Sequence, residues 1–286
     1  MNRARAEGAG PPVATLADVT DAWELARAKA RAATVRLAPL TTVEDADRIN
    51  SVIARTWGGQ HLDREVIRAL ALSGNVSWGA FDDDQIVGFV LGWAGVDEGG
   101  LHVHSHMLAA VPDSRHRGVG ETLKLAQRAQ ALDQGIEVMR WTFDPMVARN
   151  AWLNLGKLGA VIDRFERDFY GSMADSINEG ERSDRFTVVW DLRREPGPRS
   201  VAAPQADAVR SVDGKPVVQA VDPSTAARID VPAEYYELRM RDPTLAIAWR
   251  DAVADAAAAC LAAGMLGVAF DRERSAYVFA REDLVA

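Results

Sequence analysis

The residues between positions 110 and 120 have the types and the spacing needed to bind a phosphate group. Arg115, Arg117, Gly118 and Gly120 follow one another where an extended apolar segment gives way to an amphipathic helix. The first backbone N–H groups of a helix have no partner within the helix, and the helix dipole is positive at that end. Glycines allow a phosphate to approach these N–H groups, and the arginines add positive charge. The segment therefore predicts a cradle for a pyrophosphate.

The segments on either side of this loop support that interpretation. Residues 101–108 alternate with a period of two, which is typical of a β-strand. Residues 119–133 carry apolar side chains at near-helical spacing, so the loop joins a strand to a helix. Without this context the glycines would indicate only a turn. The loop lacks the third glycine of the dinucleotide-binding fingerprint and the Gly-Lys-Ser/Thr of nucleotidase phosphate loops.

A second group of chemically capable residues lies on the strand before the loop. His102, His104 and His106 are two residues apart, so they share one face of a strand, together with Leu108 and Ala110 if no bulge intervenes. An imidazole with a pKa near neutrality can take a proton from an attacking amine, directly or through water. Two other interpretations stay open: a half-solvated polar strand face, and a zinc site built from alternating histidines.

The composition is typical of a globular protein in a reducing compartment. The chain has 286 residues, of which 48% are hydrophobic and 26% charged, with a net charge of −8. This acidic balance argues against a nucleic-acid binder. The single cysteine, Cys260, cannot form an internal disulfide, which favours a cytoplasmic location. The most apolar stretch, residues 256–270, is too short to cross a membrane, so no membrane partner is expected.

Hydrophobic periodicity and turn residues predict alternating helices and strands. Helices are predicted over residues 16–33, 42–56, 62–72, 119–133, 147–158 and 244–263. Strands are predicted over residues 34–37, 75–81, 85–96, 101–111, 136–143, 161–169, 185–192, 216–220, 228–231, 267–270 and 276–280. The resulting division is a disordered N-terminus (1–12), a main domain (13–194), a proline-rich linker (195–208) and a C-terminal α/β extension (209–286).

The loop and this order of elements resemble the GNAT acyltransferase superfamily over residues 34–194. The superfamily's acyl-CoA motif is Gln/Arg-x-x-Gly-x-Gly/Ala, and Arg115, Gly118 and Gly120 fill its positions. Pro112 also stands where the family often has proline. The resemblance implies an α/β fold with a mixed, splayed central sheet flanked by helices, followed here by the smaller C-terminal α/β extension.

The resemblance also implies how acetyl-CoA or another acyl-CoA would bind as co-substrate. Backbone amides at the start of the helix would hold the pyrophosphate, and the end of the preceding strand would line the pantetheine arm. An amide of that strand would bind the thioester carbonyl, where charge develops as an amine attacks. The residues expected to contact the co-substrate are Leu108, Ala110, Val111, Arg115, Arg117, Gly118, Val119 and Gly120.

The histidines have a counterpart in the same superfamily. His104 and His106 precede Arg115 by eleven and nine residues, which resembles arylalkylamine N-acetyltransferases, where two histidines on this strand form a proton path. We expect His106 to be the catalytic base and His104 its relay. In the family's architecture the end of the next strand lies beside the acceptor, so Trp141 and Asp144 are expected to bind substrate, Asp144 through an ammonium group.

One family feature differs in this chain. Residues 157–160 are similar to the Lys-x-Gly-Phe that ends the next helix of family members, but Leu155 replaces the tyrosine that protonates the leaving thiolate in many of them. Tyr170 or water would then supply that proton, or the protein binds CoA without catalysis. In the C-terminal segment, Trp249 and Arg250 predict helix packing and a surface charge.

The function expected is transfer of an acetyl or other short acyl group to the primary amine of a small molecule, by direct attack in a ternary complex. The absence of a cysteine near the predicted site argues against an acyl-enzyme, and no metal is expected. Two alternatives stay open: a non-catalytic CoA-binding regulator, and a zinc-dependent hydrolase that uses the histidine strand. The C-terminal extension either packs on the main domain, covers the site or forms a homodimer contact.

Overall fold

One mixed β-sheet runs through the computed structural model of the chain, which describes residues 14–58, 61–112, 118–171 and 180–285. Its strands are β1 (Arg36–Pro39), β2 (Trp78–Asp82), β3 (Gln85–Asp97), β4 (Gly100–Ala110), β5 (Val138–Phe143), β6 (Val161–Glu166), β7 (Arg185–Asp191), β8 (Ala206–Val212), β9 (Lys215–Val218), β10 (Ala227–Asp230), β11 (Leu266–Asp271) and β12 (Ala276–Ala280). The helices of these ranges are α1 (Leu16–Ala32), α2 (Val43–Trp57), α3 (Arg64–Leu72), α4 (Val119–Asp133), α5 (Ala148–Ala151), α6 (Tyr235–Arg241) and α7 (Pro243–Ala262). Helix α5 continues into π-helical turns (Trp152–Lys157), and a short 3-10 helix covers Glu282–Leu284.

Local sequence explains where several helices begin. Thr15 and Thr42 each form a capping box with the aspartate three residues later, Asp18 and Asp45. Gly118 precedes α4 with a φ of 94°, a left-handed conformation that glycine adopts without steric cost. None of the helices in the described ranges combines the length and the apolar character needed to cross a bilayer.

The sheet opens between β4 and β5. The two strands run parallel, but they pair only at Val103 with Met139 and at His104 with Arg140. Strand β4 continues along β3 as far as Ala110, whereas β5 pairs antiparallel with β7 along its whole length. The carboxyl halves of β4 and β5 therefore separate and leave a crevice between them. The mixed, splayed sheet expected from the sequence is confirmed.

A β-bulge interrupts β4 at the histidines. Ser105 pairs with Gly92 and Met107 pairs with Leu91, which leaves His106 without a partner across the ladder. An extra residue of this kind shifts the alternation of side chains, so the residues after the bulge exchange faces.

The bulge decides which way the last residues of β4 point. With regular alternation, Leu108 and Ala110 would share the face of the histidines. A Cβ on Gly88, which pairs with Ala110, would instead lie 2.8 Å from Val119 of α4, and a Cβ on Gly120 would lie 3.7 Å from Leu108 Cδ2. Leu108 and Ala110 therefore lie on the face that α4 covers, and the shared face expected for an unbulged strand is not formed.

The C-terminal part of the chain repeats the strand arrangement around this opening. Across the sheet the order β4-β5-β7-β6 is followed by β11-β12-β10-β8, which is the same arrangement in reverse. The pairs β4/β5 and β8/β10 are parallel, and the other pairs within each set are antiparallel. The two sets meet where Gly267 of β11 pairs antiparallel with Ile162 of β6. The C-terminal extension thus continues the sheet as a shortened structural repeat, with the β8–β9 hairpin in place of a counterpart of α4.

Three details differ from the prediction, and a fourth cannot be compared. Strand β8 begins at Ala206, inside the predicted linker 195–208, because alanines and prolines mask the alternation of so short a strand. Helix α6 lies where the sequence predicts no element, and the predicted helix 147–158 is α-helical only as far as Ala151. The expected disorder of residues 1–12 falls outside the described residues.

The two halves share one apolar core. Trp190 of β7 and Tyr277 of β12 belong to the same buried cluster, together with side chains of α1, α4 and α7. A second cluster packs α2 and α3 against β1 to β4. The sheet therefore has α2 and α3 on one face of its first half and α4 on the other.

We predict that Gly267→Ala weakens the junction between the halves. A Cβ at Gly267 would lie 2.6 Å from Cδ1 and 2.8 Å from Cβ of Ile162, which is fully buried. Overpacking of this type costs roughly 1–3 kcal/mol, which lowers Tm by several degrees. Gly197→Ala is the matched control, because no atom lies within 4 Å of a Cβ there. Equal Tm values for the two variants in scanning calorimetry would contradict the tight junction.

Candidate functional site

The N-terminus of α4 lies beside the end of β4. Thr122 N donates to Gly118 O at 2.9 Å, and within the described residues no side chain caps the first turn. The first N–H groups of α4 are therefore available to an anion. Arg115 and Arg117, which the sequence assigns to the same cradle, lie outside the described residues.

The crevice beyond this helix start is lined by apolar side chains. A Cβ on Gly120 would lie 3.6 Å from Leu153 Cδ2 and 3.7 Å from Leu108 Cδ2, so the glycine leaves space between β4 and the π-helical turns. Val111 is buried, and its N–H donates to Val87 O at 2.9 Å. Of the predicted lining residues, Leu108 therefore borders the crevice, while the amide of Val111 is already bonded within the sheet.

His104 and His106 lie on the opposite face of β4, against Trp93 of β3. Their ring centres are 5.2 and 5.1 Å from that of Trp93 and 5.8 Å from each other. Burial, and to a smaller extent the charges of His106, His102 and Lys124, lower the pKa of His104 to about 4. His106 is exposed on this face, but partial desolvation by the surrounding protein also lowers its pKa. Both imidazoles are therefore neutral near pH 7, the form that accepts a proton.

His102 belongs to a different environment. It is buried, and its Nδ1 lies 3.2 Å from Gly100 O and 3.8 Å from Asp97 Oδ1. Its ring packs over Gly95, where a Cβ would lie 3.1 Å from Nε2. In the parts of the chain that the structure describes, no group of three or more His, Cys, Asp or Glu side chains is placed to hold a metal ion.

Trp141 lies on the floor of the crevice. Its side chain is buried, and its Nε1 donates to Asn154 Oδ1 at 3.3 Å. Leu155, at the position of the missing tyrosine, is fully buried in the core. The Tyr170 hydroxyl lies 3.2 Å from Thr142 Oγ1 of β5, so it is near the same strand.

Asp144 follows β5 and is joined to the C-terminal half. Its carboxylate accepts hydrogen bonds from Met146 N at 2.8 Å and from two nitrogens of Arg250 at 3.1 and 3.3 Å. Arg185 Nη1 lies 3.7 Å away. An acceptor ammonium would therefore compete with two guanidinium groups for this carboxylate.

Arg250 is not the surface charge that the sequence predicts. It is only 4% exposed, and besides Asp144 it contacts Glu181 Oε2 at 2.6 Å and the Tyr235 hydroxyl at 3.2 Å. Burial would lower the pKa of Arg250, but the attraction of Asp144 and the other acidic partners outweighs it and raises the pKa above its usual range. A lone arginine within the apolar helix α7 was the available signal for this buried pairing.

Lys124 on α4 is a residue that the sequence analysis missed. It is 2% exposed, its Nζ lies 2.7 Å from Ser105 Oγ, and it stands 3.6 Å from the centre of the Trp141 ring. Burial lowers the pKa of this amine well below its usual range. Ser105 and Trp141 directly follow the last paired residues of β4 and β5, so the amine lies at the closed end of the crevice.

We predict that His104 makes stability depend on pH. Its pKa is about 4 in the folded chain against 6.5 ordinarily, so below pH 6.5 the unfolded chain binds more protons and stability falls as the pH drops towards 4. His104→Gln removes this contribution. Thermal unfolding at pH 7.5 and pH 5 should therefore show a smaller decrease of Tm for His104→Gln than for the wild type. The exposed His61→Gln is the control, and an equal decrease for all three proteins would contradict the buried neutral imidazole.

One protein-family model matches the part of the chain that contains this site. Residues 46–156, from α2 to the π-helical turns, match the model of the acetyltransferase (GNAT) family. No curated protein matches the chain.

Solved structures similar to this chain cover about half of it. The ribosomal-protein-S18-alanine N-acetyltransferase from Escherichia coli is 13% identical over 56% of this chain and 96% of its own, with a TM-score of 0.45. Naa50 from Arabidopsis thaliana, in complex with the bisubstrate analogue CoA-Ac-MVNAL, is 16% identical over 55% of this chain and 97% of its own, with a TM-score of 0.43. Aminoglycoside 6'-acetyltransferase type Ii is 13% identical over 56% of this chain and 99% of its own, with a TM-score of 0.43. The family match confirms, over residues 46–156, the resemblance predicted from the glycine loop.

Proposed function

We propose that the chain is an N-acyltransferase that moves an acetyl or other short acyl group from an acyl-CoA to the primary amine of a small molecule. The observation that carries the proposal is the crevice between β4 and β5, which opens beside the uncapped N-terminus of α4. Both features lie within the segment that matches the acetyltransferase family.

The co-substrate would bind as an extended chain. Its pyrophosphate would accept hydrogen bonds from the first turn of α4, where the backbone N–H groups and the helix dipole favour an anion. Its pantetheine arm would follow the end of β4 across the space beside Gly120. The proposed contacts are Leu108, Ala110, Val111, Arg115, Arg117, Gly118, Val119 and Gly120.

The acceptor would attack from the face of β4 that carries the histidines. Its nitrogen forms a bond to the thioester carbon, the carbon–sulfur bond breaks, and the nitrogen loses a proton. His106, exposed and neutral, would accept this proton, and His104 would relay it. Trp141 and Asp144 would border the acyl and acceptor groups. Asp144 would do so while its carboxylate is paired with Arg250.

The alternative of a CoA-binding regulator without catalysis is favoured by one observation. Leu155 is fully buried and apolar where many family members have the tyrosine that protonates the thiolate. The two functions differ in a single property, because only an acyltransferase releases free CoA when an amine is added.

We predict that at least one CoA ester stabilises the chain. A ligand at one hundred times its Kd adds about 2.7 kcal/mol to the free energy of unfolding, which raises Tm by a few degrees. Thermal unfolding with acetyl-, propionyl-, butyryl- and succinyl-CoA, and with free CoA, measures this effect. An unchanged Tm with every ester would contradict the proposed function.

We predict that His106→Ala lowers kcat by about 10²–10⁴-fold, the usual contribution of a general base, with little change of KM for the acyl-CoA. The assay follows CoA thiol release with an amine selected in an acceptor screen. Cys260 adds little background, because it is buried and burial raises its pKa to about 12. The exposed His61→Ala is the control. Equal kcat for the two variants at every pH would remove His106 from the mechanism.

A further inference from the structure

Among the described residues, no carboxylate contacts the amine at the closed end of the crevice. Lys124 is as buried as Arg250, but Arg250 has Asp144 and Glu181 as partners. Lys124 Nζ donates to the uncharged hydroxyl of Ser105, and burial alone accounts for its lowered pKa. A buried cation without a partner is costly, so burial favours the neutral amine and an approaching anion favours the ammonium.

The amine lies in line with the proposed path of the co-substrate. Lys124 comes five residues after Val119, which is about 7.5 Å further along α4. Its Nζ contacts Ser105, which lies five residues before the end of β4 at Ala110. A ligand held by its phosphates at the start of α4 and extended along β4 would therefore direct its far end, the acyl chain, towards Lys124.

The side chains of Lys124 and Ser105 at the closed end of the crevice suit a negatively charged acyl terminus. The Lys124 amine and the Ser105 hydroxyl can both donate to a carboxylate, and the charge-assisted pair would offset the burial of the ammonium. The Trp141 ring, 3.6 Å from Nζ, further stabilises the charged form by a cation–π contact. An acyl chain with a methyl terminus offers neither donor a partner.

We propose that Lys124 and Ser105 form a carboxylate-binding floor of the acyl pocket. The chain then prefers acyl-CoA esters of dicarboxylic acids, with a free carboxylate at the end of a short acyl chain, as in succinyl-CoA. This inference rests on the proposed function, because it requires an acyl-CoA in the crevice between β4 and β5.

Binding of such an ester should favour proton uptake, because a bound carboxylate raises the lowered pKa of Lys124. His104 lies on the opposite face of β4, and with a pKa of about 4 it is already neutral at pH 7.5. Trp141, which faces Lys124 from β5, does not titrate. Proton uptake at this pH therefore reports the charging of Lys124.

The test is titration calorimetry of the full chain with succinyl-CoA and butyryl-CoA, which differ in the terminal carboxylate. Measurements at pH 7.5 in two buffers of different ionisation enthalpy give the number of protons taken up. We expect the wild type to bind succinyl-CoA about 10–150-fold more tightly, the range that corresponds to a hydrogen bond with a charged group, with uptake of about one proton. Butyryl-CoA should bind without proton uptake.

Two variants assign the effect to the floor. Lys124→Met keeps the length of the side chain and should lose both the preference and the proton uptake while it still binds butyryl-CoA. Ser105→Ala, which leaves the amine in place, should reduce the preference and keep the uptake. Lys215→Met, an exposed lysine on β9, is the control and should behave as the wild type.

The outcomes separate this inference from the proposed function. If the wild type binds butyryl-CoA as tightly as succinyl-CoA, the carboxylate-binding floor is overturned and the acyltransferase proposal stands. A preference for succinyl-CoA that survives Lys124→Met also overturns it. If neither ester nor acetyl-CoA binds, both proposals fail.

Discussion

The short parallel pairing of β4 with β5 is the constraint on which the rest of the site depends. Two residue pairs hold these strands together. Beyond these pairs, β4 continues to pair with β3, and β5 continues to pair with β7. There, the backbone groups of β4 and β5 that point into the gap have no partner in the facing strand, so they are available to a ligand. Helix α4, which connects the two strands, covers the gap on one face and places its uncapped N-terminus at the open end.

The repeat in the second half of the chain shows what that arrangement requires. Strands β8 and β10 also run parallel, but they pair at three of the four residues of β10, and no helix with a glycine loop connects them. Where this pairing ends, Ser211 N donates to the Asp230 carboxylate, and Arg274 pairs with Asp230 and Asp207. Hydrogen bonds and ion pairs of the protein thus hold these two strands together. The C-terminal half contributes a continuous sheet, a shared core and Arg250, which reaches the end of β5.

Local patterns in the sequence were sufficient to predict the strand, loop and helix around Gly118, because turn chemistry and periodicity act over a few residues. They could not predict the bulge at His106, which depends on how β4 pairs with β3. They also missed the carboxylate partners of Arg250 and the burial of Lys124, since both depend on contacts between distant segments. The visible signal in each case was a basic residue on a helix whose other buried positions are mostly apolar.

The central claim is that an acyl-CoA occupies the opening between β4 and β5 and not the corresponding region between β8 and β10. Amide hydrogen exchange of the full chain, with and without a saturating CoA ester, tests this most directly, because a bound phosphate slows exchange of the N–H groups that it contacts. The account predicts slower exchange at the first turn of α4 and the end of β4, with β8 and β10 unchanged. Slower exchange confined to the C-terminal half, or none at α4, would contradict it.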